Sequence, residues 1–150
     1  MKAIRVTELG GPEVLQPATV DDPVAGPGEI LIRVEAAGVN FIEVYYRKGL
    51  YSTPLPFTPG SEGAGIVAAV GAGVESLHVG DRVVTQNFRG SYAELATAPA
   101  DKVIQIPDGV STKLAGKHIK RGVFRFEFLS LLFRQVGLST AGQCLTKLGQ

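Results

Sequence analysis

Apolar and polar positions alternate along Ile30-Leu31-Ile32-Arg33-Val34-Glu35-Ala36, with Ile30, Ile32, Val34 and Ala36 on one face and Arg33 and Glu35 on the other. A period of two is the mark of a half-buried strand. Ile4-Arg5-Val6-Thr7 and Val103-Ile104-Gln105-Ile106 read as similar, shorter strands. Ile66-Val67-Ala68-Ala69-Val70 and Arg82-Val83-Val84-Thr85 are compact apolar runs, which predict more deeply buried strands. Turn-forming residues separate them: Gly10-Gly11-Pro12, Gly26-Pro27-Gly28, Pro59-Gly60, Gly71-Ala72-Gly73, Gly80-Asp81 and Pro107-Asp108-Gly109. Short strands at this spacing predict a mainly β fold, a small barrel or sandwich.

One segment breaks the β rhythm. Asn40 to Gly49 carries the signals of a short helix. Asn40 suits the N-cap, and Glu43 stands three residues on, as in a capping box. Arg47 and Lys48 complement the negative end of the helix dipole, and Gly49 suits the left-handed exit position. On local physics alone, Asn40 and Glu43 are a helix cap.

Composition adds a seam. The 150 residues carry a net charge of +1, so there is no overall basic field for nucleic acid. Residues 1–110 hold 8 Lys+Arg against 13 Asp+Glu, a net of −5, whereas residues 111–150 hold 7 against 1, a net of +6. All nine prolines precede the split, and four of the seven phenylalanines follow it. A single Cys excludes an internal disulfide framework and a cysteine-based zinc site within one chain. No apolar run approaches the roughly 20 residues of a membrane span, and the first residues lack a signal-peptide apolar region, so a cytoplasmic setting is expected.

Five pieces then occur in order: Gly10-Gly11-Pro12-Glu13-Val14-Leu15, Gly38-Val39-Asn40-Phe41-Ile42-Glu43, Pro59-Gly60-Ser61-Glu62-Gly63-Ala64-Gly65, Val79-Gly80-Asp81-Arg82-Val83 and Gly90-Ser91-Tyr92-Ala93-Glu94. Together they resemble the N-terminal half of a medium-chain dehydrogenase/reductase of the zinc-independent NADPH:quinone oxidoreductase, or zeta-crystallin-like, branch. The resemblance implies a GroES-like β-barrel over residues 1–116, with one or two short helices. In that family a Rossmann domain follows, and the cofactor lies in the cleft between the two. Here that domain is not expected. Ser111 to Gly116 still fit the approach to the next helix, but residues 117–150 form a basic and aromatic tail without correspondence.

The resemblance also implies a site. Tyr45, Tyr51 and Glu43 match positions that line the nicotinamide and quinone side of the cleft, and Asn40 and Glu62 match cofactor-side positions. Asn40 would bond the nicotinamide carboxamide or ribose, and Tyr45 and Tyr51 would donate hydroxyl hydrogen bonds and pack a flat ring. Glu43 would orient the loop, and Glu62 would bond backbone or a nearby Arg. Tyr45 and Tyr46 are adjacent, so on a helix they face different sides, and one of them covers the barrel. NADPH is the implied cofactor and a small quinone or enone the implied substrate. Zinc-dependent relatives carry Cys where Asn40 stands and His where Ser61 stands, so no zinc is expected. His78 and His118 read as surface residues.

Gly63-Ala64-Gly65-Ile66-Val67-Ala68 satisfies G-x-G-x-x-A on paper. The dinucleotide fingerprint needs a strand before it and a helix after it, whereas here Pro59-Gly60 precedes and a strand-like run follows. The tail has two readings: the product of read-through, splicing or a frameshift, weakly ordered, or a basic amphipathic helix for a membrane surface or partner. The chain likewise has two: an oxidoreductase's substrate-side domain with little turnover of its own, or a non-catalytic GroES-like binding fragment. Either exposes an apolar wall through which self-association is expected.

Overall fold

The computed structural model describes residues 1–118. The expectations for the tail fall on residues outside these, apart from Lys117 and His118, which close the second helix.

The alternating segment forms β3 (Glu29–Ala37), with Ile30 and Ile32 fully buried and Arg33 and Glu35 exposed. It is the second strand of a five-stranded antiparallel sheet. Its neighbours are β6 (Leu95–Pro99) on one side and β4 (Gly63–Val70) on the other, followed by β5 (Arg82–Thr85) and β7 (Val103–Gln105). The β3–β4 register slips between Leu31 and Ile32 and again between Val34 and Ala36. Such bulges bend and twist a strand, and they help the sheet to curl. A ribbon of β1 (Lys2–Arg5) and β2 (Gln16–Thr19) is tied to the segment before β6 by a bridge from Ala3 to Ala93, and the residue after β1, Val6, bridges Phe57 in the loop before β4. Among the described residues the fold is mainly β, with two short helices, α1 (Phe41–Arg47) and α2 (Thr112–His118).

The sheet buries both faces. Ile30, Ile32, Val67, Val83, Phe88, Ala96 and Ala98 fill the concave side. Ala64, Val84, Ile106, Val110 and Ala115 form a second cluster beneath α2. Val83 and Val84 therefore serve different cores, as period two requires. Fully burying each large aliphatic side chain contributes about 1.5–3 kcal/mol before entropy is counted. Arg82 holds the chain's approach to α2: its guanidinium donates to the carbonyls of Val110 and, at 3.0 Å, Pro107, and pairs with Asp108 at 3.3 Å. Thr112 Oγ1 donates to Glu35 Oε2 at 2.5 Å. Hence the compositional seam at Val110 is not a structural one, because Val110 and Ala115 are core residues.

Two strands escape the sequence pattern. β2 reads Gln-Pro-Ala-Thr, and its proline is tolerated because the strand has β1 as its single neighbour. β6 reads Leu-Ala-Thr-Ala-Pro, small residues that pack closely beside β3. β4 also begins three residues earlier than its apolar run. Gly63 and Gly65 lie inside it because a Cβ at either would collide with a β3 carbonyl, Ala36 O and Arg33 O respectively. The G-x-G-x-x-A string is therefore a central strand and not a phosphate loop.

Candidate functional site

Helix α1 starts where β3 ends, and its N-terminus is fixed by its own sequence. Asn40 is the N-cap in extended conformation, and the Asn40 N–H donates to Glu43 Oε2 at 2.7 Å. The pair is arranged as a capping box, with the Glu43 arm its well-formed hydrogen bond. The second Glu43 oxygen accepts from Ser61 N–H at 3.3 Å and from Ser61 Oγ at 3.2 Å. Glu43 is buried, and three donors converge on its carboxylate. That geometry suits an orienting group that ties α1 to the loop 59–62.

The loop is itself laced to 88–92. Ser91 N–H donates to Gly60 O at 2.9 Å, Tyr92 N–H to Pro59 O at 3.0 Å, and Phe88 N–H to Ser61 O at 2.9 Å. The Glu62 carbonyl accepts from Gly38 N–H at 2.9 Å and from Ser91 Oγ at 3.0 Å. The Glu62 side chain is buried against Gly38, where a Cβ would collide with its carboxylate. Tyr92 sits behind this lattice with its hydroxyl buried and unpaired. Burial, then the charges of Glu43 and Glu62, push its phenol up to about 12. The Asn40 Nδ2 is the other buried polar atom without a partner among the described residues. Leaving such a donor unpaired costs about 1–3 kcal/mol, so its retention calls for an explanation.

At the far end of α1, about 7.5 Å along the axis from Asn40, stands an aromatic cluster. Tyr51 meets Tyr45 edge-on at 5.6 Å between centroids and Tyr46 at 5.8 Å. The Tyr45 carbonyl accepts from Leu50 N–H at 2.9 Å and Tyr51 N–H at 3.4 Å, and Gly49 supplies the left-handed turn with φ +76°. Arg47, expected to face the helix dipole, is buried instead and donates to Gly10 O at 2.9 Å. Gly10 N–H returns a bond to Arg47 O at 2.9 Å. This reciprocal pair anchors the helix end to the first loop. Phe41 (79% exposed), Tyr45 (39%), Leu50 (67%) and Tyr51 (50%) face outward, an apolar wall.

A different side of α1, carrying Ile42, Glu43 and Tyr46, borders a groove of about 940 Å³. Its other walls come from the β1–β2 ribbon and loops 53–61 and 88–90, and include Arg5, Thr58 and Arg89. The structure thus gathers Asn40, Glu43 and Glu62 at the helix start and pairs Tyr45 with Tyr51 at its end. Only Glu43 of these five borders the groove. Tyr46, Ser61 and Arg5 went unassigned by the sequence; Ser61 could have been noticed as a hydroxyl directly before a buried Glu. Among the described residues no group of three or more His, Cys, Asp or Glu gathers in a form that could hold a metal ion. His78 is exposed, and its N–H donates to Asp81 Oδ2 at 2.8 Å.

NADPH, the cofactor implied by the resemblance, needs a partner for its nicotinamide and a cradle for its pyrophosphate. The unpaired Asn40 amide and the neighbouring tyrosines fit the first need. The glycine string that would suggest the second is locked inside β4.

The chain is 42% identical over 124 residues to a quinone oxidoreductase of Pseudomonas aeruginosa, covering 81% of this chain and 38% of that protein. It is 43% identical over 117 residues to the human quinone oxidoreductase, covering 75% of this chain and 36% of the other. Among solved structures it resembles the Escherichia coli quinone oxidoreductase complexed with NADPH, with a TM-score of 0.79, 37% identity, and coverage of 86% and 40%. The chain therefore spans about two-fifths of the length of these relatives. The alcohol dehydrogenase GroES-like domain matches residues 26–108, from the turn before β3 through β7, the whole sheet that carries the site. With more than half its length matched in this way, the chain belongs to the alcohol dehydrogenase GroES-like domain family.

Proposed function

We propose that this chain is the substrate-side module of a zinc-independent, NADPH-dependent quinone oxidoreductase. The observation that carries the reading is the α1 wall: an unpaired buried Asn40 amide at one end and the exposed Tyr45–Tyr51 pair at the other. NADPH, when bound, would supply the hydride, and the protein's share is orientation and a shielded surface. Asn40 Nδ2 is a neutral donor suited to a carboxamide or ribose oxygen. The hydroxyls of Tyr45 and Tyr51 are neutral donors suited to a quinone oxygen that gains negative charge. Their rings offer edges and faces to a flat acceptor. Glu43 and Glu62 hold the helix start and the loop, and neither is assigned a proton transfer. The likeness to quinone oxidoreductases of bacterial and human origin supports the substrate class.

A second reading, a non-catalytic binding module, is favoured by one observation. The described residues place their only dinucleotide-like glycine string inside a strand, so nothing there grips a pyrophosphate. The two readings part in a direct assay. Purified chain is mixed with NADPH and duroquinone, and the loss of NADPH absorbance is followed. The module reading expects turnover far below that of an intact relative, together with restored turnover when residues 1–116 replace the matching part of that relative. Turnover equal to the intact enzyme by the chain alone would refute the modular view. A correctly folded but inactive chimera would refute the enzymatic one. The apolar wall formed by Phe41, Leu50 and Tyr51 also supports self-association of the chain.

A further inference from the structure

The proposed hydride-transfer site uses the outward face of α1 and leaves the 940 Å³ groove on its other side without a role. Its size suits a drug-sized organic molecule, since ligand pockets span roughly 300–1,000 Å³. Flat, rigid walls dominate it: Phe57 and Tyr46 with Pro23, Pro56 and Pro59. Its charged groups are mostly committed. The Met1 ammonium is bound to Asp22 at 2.8 Å, Arg89 is bound to Glu29 at 2.8 Å, and Glu43 is held by Ser61 and the Asn40 N–H. Asp21 stands at the rim beside Val20 and carries the groove's remaining negative charge.

Arg5 differs from the other cations. It projects from the end of β1, is half-buried, and among the described residues makes one hydrogen bond, Nη1 to the neutral Thr58 Oγ1 at 3.2 Å. No carboxylate among the described residues lies within ion-pair distance of it. A guanidinium has five donors in a planar fork built for two-point contact with a carboxylate, sulfonate or phosphate. We propose that the groove binds a flat aromatic anion, with its ring against the Phe57 and proline walls and its anionic group on the free edge of Arg5, braced by Thr58. Asp21 restricts the ligand to a single anionic group of low charge. The site does not depend on the hydride-transfer reading, because it needs neither NADPH nor turnover.

The probes are naphthalene-2-sulfonate and its neutral isostere naphthalene-2-sulfonamide, titrated into the full chain by calorimetry. The sulfonate is expected to bind about tenfold more tightly than the sulfonamide, as a desolvated charge-assisted pair would give. Arg5→Gln should erase that difference while leaving the weak sulfonamide binding in place, and Arg5→Lys should retain only part of it. Thr58→Val, which leaves the charge and frees the guanidinium, should keep most of the discrimination. It serves as a second test should Arg5→Gln fail to fold by circular dichroism. Equal affinity for both probes in the unaltered chain would overturn the proposal. So would undiminished discrimination in folded Arg5→Gln, or discrimination in Thr58→Val lost as fully as in a charge removal.

Discussion

Replacing Glu43 by Gln tests whether a carboxylate fastens the site helix to its loop. Three donors share the two Glu43 oxygens: Asn40 N–H at 2.7 Å, Ser61 N–H at 3.3 Å and Ser61 Oγ at 3.2 Å. Glutamine keeps one oxygen and turns the other into an NH2. The best arrangement gives the oxygen to Asn40 N–H and lets the Ser61 hydroxyl rotate to accept from the new amide. Ser61 N–H is then left facing a donor. The opposite rotamer leaves Asn40 N–H unpaired instead. Either way one backbone donor is orphaned, the part-buried Ser61 N–H or the buried Asn40 N–H, at about 1–3 kcal/mol. Loss of charge assistance adds to this, and relief of carboxylate desolvation offsets part of it, so the net loss is about 1–3 kcal/mol. In a domain of about 100 residues each kcal/mol lowers Tm by roughly 4–8 °C. Urea denaturation followed by circular dichroism measures it directly. A double-mutant cycle with Ser61→Ala should show a coupling of at least about 0.5 kcal/mol. Full stability in Glu43→Gln, or strict additivity with Ser61→Ala, would refute the claim that this contact joins helix to loop.

Other outcomes follow from the same geometry. Gly65→Ala puts a methyl onto the Arg33 carbonyl inside the β3–β4 ladder, and urea denaturation should show a loss of about 1–3 kcal/mol or more; a neutral result would undo the close-approach account. Tyr92 should show a phenol raised to about 12 in an ultraviolet pH titration that is compared with the Tyr92→Phe variant. Its phenol is raised above the ordinary 10, so an unfolded chain ionises first and stability falls as pH rises from 10 to 12; a flat stability profile over that window contradicts the assignment. Arg47→Met should cost about 1.5–3 kcal/mol by removing a charged donor from the Gly10 carbonyl, and amide hydrogen exchange should quicken at α1 and the first loop together; quickening at α1 alone would count against the anchor. Light scattering should show association that rises with concentration and weakens in Phe41→Ser, whereas a clean monomer throughout would dismiss the apolar wall as a contact surface.

What the sequence disclosed was what local rules govern. The alternation of Ile30 to Val34 became β3 with the foreseen faces, but the slip after Val34 turns Ala36, expected beside Ile32, toward α2; Asn40 and Glu43 became the start of α1, and Gly49 took the left-handed exit. The string Gly63-Ala64-Gly65 was rightly set aside as a phosphate loop, although its reason, closeness to β3 carbonyls, is a property of the sheet. β2 and β6 were overlooked because Gln-Pro-Ala-Thr and Leu-Ala-Thr-Ala-Pro have little β propensity; pairing with β1 and β3 determines them. The Ser61–Glu43 contact spans 18 residues and the Arg47–Gly10 contact 37, so no local signal announces either. The tyrosines show the same boundary. Helical geometry predicted that Tyr45 and Tyr46 would part, but the position of Tyr51 between them depends on how the chain turns after Gly49.

The account rests on α1 presenting a wall that receives a flat acceptor and a carboxamide. Nuclear magnetic resonance of the full chain during titration with duroquinone and with nicotinamide tests this most directly. The account predicts shifts at the Tyr45 and Tyr51 rings with duroquinone and at the Asn40 side-chain amide with nicotinamide. Shifts confined to other surfaces, with those three residues unmoved at saturation, would contradict it.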